Sequence, residues 1–213
     1  MRIRVSWVIF GILLGACEAP AVTVLTDQPA MAAVDCPSYD GVDAVAALAP
    51  THVIILGEAM HGTNESPEAF YALACHLAEQ GHAIRIGLEA TYTQSAGLDT
   101  FLSHPDDASA LLVGADNAWF SHDGRSSEAM LLLLQKLAGL RARSVDVSVF
   151  AFDSDTQETA SAANVNIARD AAMARHVNES VAGFEGAVLL LTGDFHARKR
   201  AFSFDEYEFV PMA

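Results

Sequence analysis

Residues 52–65 read His-Val-Ile-Ile-Leu-Gly-Glu-Ala-Met-His-Gly-Thr-Asn-Glu. In this stretch an apolar run stops at Gly57 and is followed at once by Glu58, His61 and Glu65. A buried parallel strand ends in this way, and the chain then loops across the carboxyl edge of the sheet before its helix begins. The stretch therefore predicts a strand, a loop that carries reactive groups, and a helix.

Three further apolar runs have the same character, because each is short, rich in β-branched residues and continuous rather than alternating. With the first run they cover residues 52–56, 84–88, 145–152 and 187–191. Helical spacing of apolar residues is found at 42–48, 65–80, 95–102, 126–143 and 162–181. This alternation predicts an α/β fold, with a mostly parallel central sheet of four to five strands and helices on both faces. The tail, residues 202–210, fits either an edge strand or a loose end.

The N-terminus has the pattern of a targeting segment. Arg2 and Arg4 precede an apolar stretch, residues 5–14, and small residues then lead to Cys17. This order is typical of a bacterial lipoprotein signal, in which cleavage before the cysteine leaves a lipidated N-terminus. An ordinary secretory signal with an incidental cysteine is the alternative. A transmembrane helix is disfavoured because the apolar run is shorter than the roughly 20 residues that a bilayer requires.

The chain is therefore predicted to divide into three parts. Residues 1–16 are the signal, residues 17–33 are a small-residue tether, and residues 34–213 are a single α/β domain. The predicted location is the bacterial cell envelope, with the protein anchored by its N-terminal lipid to the outer membrane and facing the periplasm.

The net charge limits the partners. Removing residues 1–16 takes away two of the 12 Lys and Arg residues and none of the 27 Asp and Glu residues, so the formal charge changes from −15 to −17. Such a surface repels nucleic acid and anionic lipid headgroups. We therefore expect no nucleic-acid partner, and a membrane attachment that depends on the lipid alone.

The chain has three cysteines. If Cys17 carries lipid, Cys36 and Cys75 remain as a possible disulfide, which an oxidising compartment permits. No Cys-x-x-Cys spacing occurs, so a cysteine-based metal site is disfavoured.

Acids and histidines follow all four predicted strands: Glu58 and His61, then Glu89, then Asp153, then Asp194 and His196. A single glutamate in such a position is more often a helix cap or a solvated loop residue. Parallel strands share a direction, however, so these groups are expected along one edge of the sheet, where open α/β folds place their sites. The neighbouring charges Arg169 and Asp170 lie on a predicted helix, and we expect such a pair to be solvated.

Two kinds of chemistry fit these residues. A histidine held by a carboxylate can act as a general base. The same histidines and carboxylates, Glu58, His61, Glu89 and His196, could instead bind a divalent metal ion. The sequence lacks the His-Glu-x-x-His zinc motif, the Gly-x-Ser-x-Gly nucleophile turn and the glycine-rich nucleotide loops, which disfavours those classes.

The order of these motifs resembles the erythromycin-esterase-like family, in the wider group that includes the ChaN-like haem-uptake lipoproteins and the Tiki and TraB proteins. The residues that carry the resemblance are Leu56-Gly57-Glu58-x-x-His61-Gly62-x-x-Glu65, Glu89, Phe152-Asp153, Arg169-Asp170-x-x-Met173-Ala174 and Gly193-x-x-His196-Ala197. The resemblance implies an α/β core in which His61 activates water. It also implies that Glu58, Glu89 and His196 orient water or substrate, or hold a metal.

These observations together predict an envelope lipoprotein with esterase-like hydrolase activity on a small-molecule substrate. The predicted catalytic residues are His61, Glu58, Glu89 and His196. The predicted binding residues are Glu65, Asp153 and Asp194. The alternative is a ChaN-like lipoprotein that binds haem or a divalent metal ion without hydrolytic activity. No residue is assigned as a haem ligand.

Overall fold

The computed structural model describes residues 36–49, 52–107, 109, 111, 123–204 and 207–212. The predicted signal, the predicted lipidation site Cys17 and the predicted tether lie outside these residues. The described residues belong to one compact unit, residues 31–213.

Six helices and six strands are described. The helices are α1 Val42–Ala46, α2 Glu65–Glu79, α3 Ser95–Ser103, α4 Glu128–Ala142, α5 Thr156–Thr159 and α6 Val165–Val181. The strands are β1 Val53–Glu58, β2 Ile84–Thr91, β3 Val147–Asp153, β4 Ala187–Gly193, β5 Phe202–Phe204 and β6 Tyr207–Phe209. A single 3-10 turn, Tyr92–Gln94, leads from β2 into α3.

Strands β1 to β4 form one parallel sheet in the order β1-β4-β2-β3. The last of the four in the sequence therefore lies inside the sheet, between β1 and β2. Its register aligns Glu58 with Gly193 on one side and Leu88 with Leu191 on the other. The predicted α/β fold with a mostly parallel sheet of four to five strands is confirmed.

Helices cover both faces of this sheet, and alternate residues of each strand point to opposite faces. Val149 and Leu189 belong to a core shared with α1, α2, α3 and α4. Phe150 and Leu190 belong to a second cluster that contains Met173 of α6. Burial on both faces explains why the strand sequences are continuous apolar runs.

The helix ends follow from local sequence. The side chain of Ser127 accepts a hydrogen bond from the backbone N–H of Met130 at the start of α4 (3.3 Å). Asn164 accepts one from Ile167 at the start of α6 (3.1 Å). Both residues are N-caps, because each accepts a hydrogen bond from a backbone N–H of the first helical turn that has no partner within the helix. Gly81, at φ +79°, follows α2 in the left-handed conformation that commonly terminates helices.

A disulfide joins Cys36 to Cys75, with an S–S distance of 2.02 Å. These are the two cysteines that the sequence left available for pairing. The bond ties the segment before α1 to the middle of α2. Next to Cys75, His76 adds a second link to α1 through Asp43, with Nε2 to Oδ1 at 2.7 Å.

The tail forms a small sheet of its own. Strands β5 and β6 pair with each other in antiparallel fashion, separately from the main sheet. Phe202 stacks on Phe195 with ring centroids 5.4 Å apart, and the guanidinium of Arg198 lies over both rings. The tail is therefore neither an edge strand of the main sheet nor a loose end over these residues.

Among the described residues, every helix is too short or too polar to cross a bilayer.

Candidate functional site

A cavity of about 780 Å³ opens at the carboxyl edge of the main sheet. Residues at or just after the ends of all four parallel strands line it, as do residues from the loop before α4 and from the start of α6. The backbone N–H of Asp194 donates to the carbonyl of Glu58 (2.9 Å), which joins the ends of β4 and β1. The position is the one that open α/β sheets use for their binding sites.

His61 and Glu58 form a hydrogen-bonded pair at one side of the cavity. Glu58 is the last residue of β1 and is 5% exposed, and its Oε1 lies 2.6 Å from His61 Nδ1. The other ring nitrogen, Nε2, lies 4.0 Å from Glu89 Oε1. A Cβ on Gly193 would lie 3.4 Å from the same Nε2, so the glycine leaves space beside it. The pair thus fixes the ring through one nitrogen and leaves the other beside the cavity.

The hydrogen bond that Nδ1 of His61 donates to Glu58 raises the pKa of His61 above its usual 6.5. Partial burial opposes this shift in the pKa, and the charge of Glu89 adds to it. The two neighbouring carboxylates, Glu58 and Glu89, therefore favour the protonated form of His61.

Glu89 is the central carboxylate of the site, within β2. Its Oε2 accepts hydrogen bonds from the hydroxyl of Thr192 and the backbone N–H of Gly193, both at 2.7 Å. Its Oε1 accepts from Nη2 of Arg169 at 2.7 Å. Burial on its own raises the pKa of Glu89, but the charge of Arg169 and these hydrogen bonds outweigh it and lower the pKa to about 2. Glu89 is therefore ionised across the physiological range of pH.

Arg169, in the second turn of α6, bridges the ends of β2 and β3. Its Nε donates to Oδ1 of Asp153 at 2.8 Å and its Nη2 donates to Oδ2 at 2.7 Å, a two-point contact that matches the shape of a carboxylate. Nη2 also donates to Glu89. Burial lowers the pKa of Arg169, but the contacts with Asp153 and Glu89 more than offset this and raise it.

His196 lies between Arg169 and Asp170. Its Nδ1 is 2.7 Å from Oδ1 of Asp170. Its Nε2 is 3.0 Å from Nη1 of Arg169 and 3.8 Å from Oε1 of Glu89. Both His196 and Asp170 are buried, at 8% and 1% exposure. The second histidine is thus engaged through both of its ring nitrogens.

Arg125 completes the site from the loop before α4. It contacts Asp123 through Nε (2.7 Å) and Asp153 through Nη1 (2.7 Å). Burial lowers the pKa of Arg125, and the hydrogen bond to Asp123 with the charges of Glu89 and Asp153 raises it overall. The preceding Gly124, at φ +89°, brings this loop against the backbone of the loop that carries His61.

The donor set does not fit a metal ion. The guanidinium of Arg169 already occupies both oxygens of Asp153, one oxygen of Glu89 and Nε2 of His196. In the part of the chain that the structure describes, no group of three or more His, Cys, Asp and Glu side chains is arranged to hold a metal. The guanidinium thus occupies the place that a cation would take, so these contacts do not favour a metal ion, and the metal site of Glu58, His61, Glu89 and His196 stays a prediction.

The structure brings most of the predicted site residues together. Those that line the cavity are Glu58, His61, Glu89, Asp153, Asp194 and His196. Glu65 is exposed in the first turn of α2 and is not among the lining residues.

Three residues that the sequence did not place in the site are part of it: Arg125, Arg169 and Asp170. Arg169 and Asp170 were expected to be solvated, but Asp170 is 1% exposed and Arg169 contacts three site residues. The available signal was their position, since they follow a buried strand and begin a helix in a chain with few basic residues.

Comparison with known proteins gives matches to solved structures only, since no model of a protein family and no curated protein matches the chain. The RRSP MARTX toxin effector domain from Vibrio vulnificus CMCP6 matches with a TM-score of 0.46 and 17% identity, over 82% of this chain and 34% of that one. A structure described as bacterial protein toxins matches with a TM-score of 0.49 and 18% identity, over 82% of this chain and 34% of that one. The type III effector HopBA1 matches with a TM-score of 0.48 and 19% identity, over 79% of this chain and 78% of that one.

This chain spans about a third of the length of the first two toxins. Similarities of this size concern the fold, and a fold does not determine a function.

The predicted membership in the erythromycin-esterase-like and ChaN-like group is wrong, because no family model matches and the solved structures that match are toxins and an effector. The physical reason is that the resemblance relied on short motifs at strand ends. A parallel sheet that gathers polar groups at its carboxyl edge can produce such motifs in unrelated families. The predicted lipoprotein esterase and its alternative, a haem- or metal-binding lipoprotein, are wrong for the same reason.

Proposed function

We propose that this chain is an enzyme that performs general acid-base catalysis, with Nε2 of His61 as the atom that accepts the substrate's proton. The observation that carries the proposal is the 2.6 Å contact between Glu58 and the opposite ring nitrogen, Nδ1, at the wall of a large cavity. A carboxylate in this position holds the ring in one tautomer and one orientation. Nε2 is then the basic nitrogen.

Proton transfer can be followed through these groups. In the neutral form of His61, Nδ1 donates its hydrogen to Glu58 and Nε2 carries the lone pair. When Nε2 takes a proton, the imidazolium that forms lies between two carboxylates, Glu58 at 2.6 Å and Glu89 at 4.0 Å. Their charges stabilise the product of proton transfer, and the same imidazolium can later return the proton as a general acid.

The charge of the cavity indicates the kind of substrate. Six carboxylates and two arginines line it, a formal charge of −4 with both histidines neutral: Glu58, Glu89, Asp123, Asp153, Asp155 and Asp194 against Arg125 and Arg169. A negative potential disfavours anionic ligands and favours neutral or cationic ones. We therefore propose a small, neutral or positively charged polar substrate, and no nucleic-acid ligand.

The proposal is tested by comparing the wild-type protein with His61→Ala on a panel of neutral and cationic amides, glycosides and carbonyl compounds with an acidic α-proton. His104→Ala is the matched control, because His104 is exposed and does not line the cavity. Loss of a general base typically reduces the rate by about 10²- to 10⁴-fold. We expect a loss of this size in His61→Ala and none in His104→Ala. Turnover that survives unchanged in His61→Ala would overturn the assignment.

A further inference from the structure

The guanidinium of Arg169 has one N–H group that is not used in its hydrogen bonds to other residues of the site. A guanidinium has five N–H groups. Nε donates to Asp153, Nη2 donates to Asp153 and Glu89, and Nη1 contacts His196, so four are engaged. Within the described residues the remaining N–H, on Nη1, has no acceptor, and the side chain is 28% exposed at the cavity.

The same contacts define the state of His196. Arginine can only donate, so Nε2 of His196 must accept the hydrogen bond from Nη1 of Arg169 and carries no proton. Nδ1 must then carry the proton and donate it to Asp170, 2.7 Å away. His196 is accordingly neutral, in the Nδ1–H tautomer, between a cation and an anion.

Asp170 is held in an unfavourable place for a carboxylate. It is 1% exposed, and its Oδ2 is buried without a hydrogen-bond partner in the structure. An unsatisfied buried acceptor costs roughly 1–3 kcal/mol. A buried carboxylate with this cost, and with its other oxygen 2.7 Å from Nδ1 of His196, is better explained by orientation of the histidine than by stability.

We propose that Asp170 and His196 are positioning residues that hold the guanidinium of Arg169 so that its remaining Nη1–H can bind an oxygen atom of the substrate that becomes negative during the reaction. This deepens the proposed function of His61 and rests on it. The substrate class is then a compound with a carbonyl or similarly polarised oxygen next to the atom that loses or gains a proton.

The geometry places the two groups at one substrate. Nη2 of Arg169 and Nε2 of His61 lie 2.7 Å and 4.0 Å from the same atom, Oε1 of Glu89, so these two nitrogens are no more than about 6.7 Å apart. Nη1 belongs to the same planar guanidinium as Nη2 and lines the same cavity as His61, so the base and the donor can contact one small substrate. Because Arg169 is fixed by four hydrogen bonds, little reorganisation is needed when charge develops, which is the condition for strong electrostatic stabilisation.

The first experiment is ¹⁵N NMR of the full chain labelled at histidine and arginine. We expect Nδ1 of His196 to be protonated and Nε2 to be unprotonated, as the contacts with Asp170 and Arg169 require. We also expect the two protons on Nη1 of Arg169 to be inequivalent, with one exchanging with water. A proton on Nε2 of His196, or an averaged Arg169 signal from a freely rotating guanidinium, would overturn the proposal.

The second experiment compares Arg169→Gln with Arg175→Gln, a control on the same helix whose side chain is 50% exposed and contacts Glu158. Removing Arg169 leaves His196 with Asp170 at 2.7 Å and Glu89 at 3.8 Å, and no cation. We expect the ¹⁵N chemical shift of His196 Nε2 to move in Arg169→Gln, because this nitrogen loses its hydrogen-bond donor, and to stay unchanged in Arg175→Gln. A His196 Nε2 shift that is unchanged in both variants contradicts the proposal. If Arg169→Gln does not fold, the wild-type spectrum decides alone.

The kinetic readout uses any substrate that His61→Ala fails to turn over. Arg169→Lys keeps the charge but loses the fork of donors, so we expect kcat to fall by about 10²-fold, with KM changed less than about threefold. An equal effect on kcat and KM, or none, would reject the oxygen-binding role. The NMR results do not involve His61, so a failure of His61 as the base and a failure of the Arg169 assignment can be told apart.

Discussion

A Cβ atom on Gly124 would lie 2.6 Å from the carbonyl carbon of His61 and 2.9 Å from the backbone nitrogen of Gly62. The loop that carries Arg125 and the loop that carries His61 are thus in backbone contact. This contact is possible only because residue 124 has no side chain and adopts φ +89°. The spacing between His61 and Arg125 therefore depends on one glycine.

Gly124→Ala is expected to destabilise the protein and to displace His61. Left-handed backbone costs a non-glycine residue roughly 1–2 kcal/mol, and the clash adds roughly 1–3 kcal/mol. The control is Gly81→Ala, which has φ +79° but open space around its Cβ and carries the backbone cost alone. Denaturant unfolding measures both. Equal losses in the two variants, with an unshifted His61 NMR signal, would show that the contact is unimportant.

The charge state of His61 should follow the Glu58 contact. Because the pKa of His61 is raised above 6.5, its stabilising contribution is complete below pH 6.5 and is lost as pH rises through the folded-state pKa. Glu58→Gln removes the main cause and should lower the titration midpoint seen by NMR. Glu65→Gln is the control, since Glu65 lies outside the cavity. A midpoint that is the same in all three proteins contradicts this explanation.

Glu89 should govern stability in acid. Its pKa is lowered from 4.5 to about 2, so its contribution to the free energy of unfolding is complete above pH 4.5 and is lost as pH falls towards 2. Glu89→Gln leaves Arg169 with one carboxylate fewer, and breaking a buried pair costs about 3–5 kcal/mol. We expect that loss at pH 7 and a smaller one at pH 3, where part of the contribution of Glu89 remains, by urea unfolding. Asp99→Asn, which alters the more exposed pair with Arg141, should show little loss at either pH.

The disulfide should contribute to stability through the unfolded chain. Cys36 and Cys75 are 39 residues apart, and closing a loop of this length stabilises a fold by about 4 kcal/mol. The double variant Cys36→Ser/Cys75→Ser is expected to lose about this much in denaturant unfolding. Reducing agent should lower the stability of the wild-type protein and leave that of the double variant unchanged. Equal sensitivity of both proteins would mean that the bond is not responsible.

The four strands of the sheet could be predicted from the sequence because burial on both faces produces continuous apolar runs. The residues at which the strands end were predicted less accurately. The prediction stopped the first strand at residue 56, whereas β1 continues to Glu58, whose carboxylate is buried against His61 and whose partner in β4 is Gly193. Polar residues that remain in the strand carry no apolar signal, so pattern alone ends the strand too early.

The arginines of the site could not be predicted for a related reason. The expectation that Arg169 and Asp170 are solvated comes from the geometry of an isolated helix. It cannot include the docking of α6 against Phe150 and Phe152, which places the start of this helix over the strand ends. Arg125 lies in a segment without any periodicity. Its role depends on a backbone contact between loops that are about 60 residues apart in the sequence.

The strand order β1-β4-β2-β3 has a consequence for synthesis of the protein. When the ribosome has made β1, β2 and β3, the first two have no direct pairing with each other, because β4 has still to enter between them. Both leave an unpaired apolar edge until residues 187–193 emerge, and such edges promote aggregation. A nascent chain that stops before this point should therefore lack the cavity and should depend on chaperones, since the carboxyl edge of the sheet is complete only after β4 has been added.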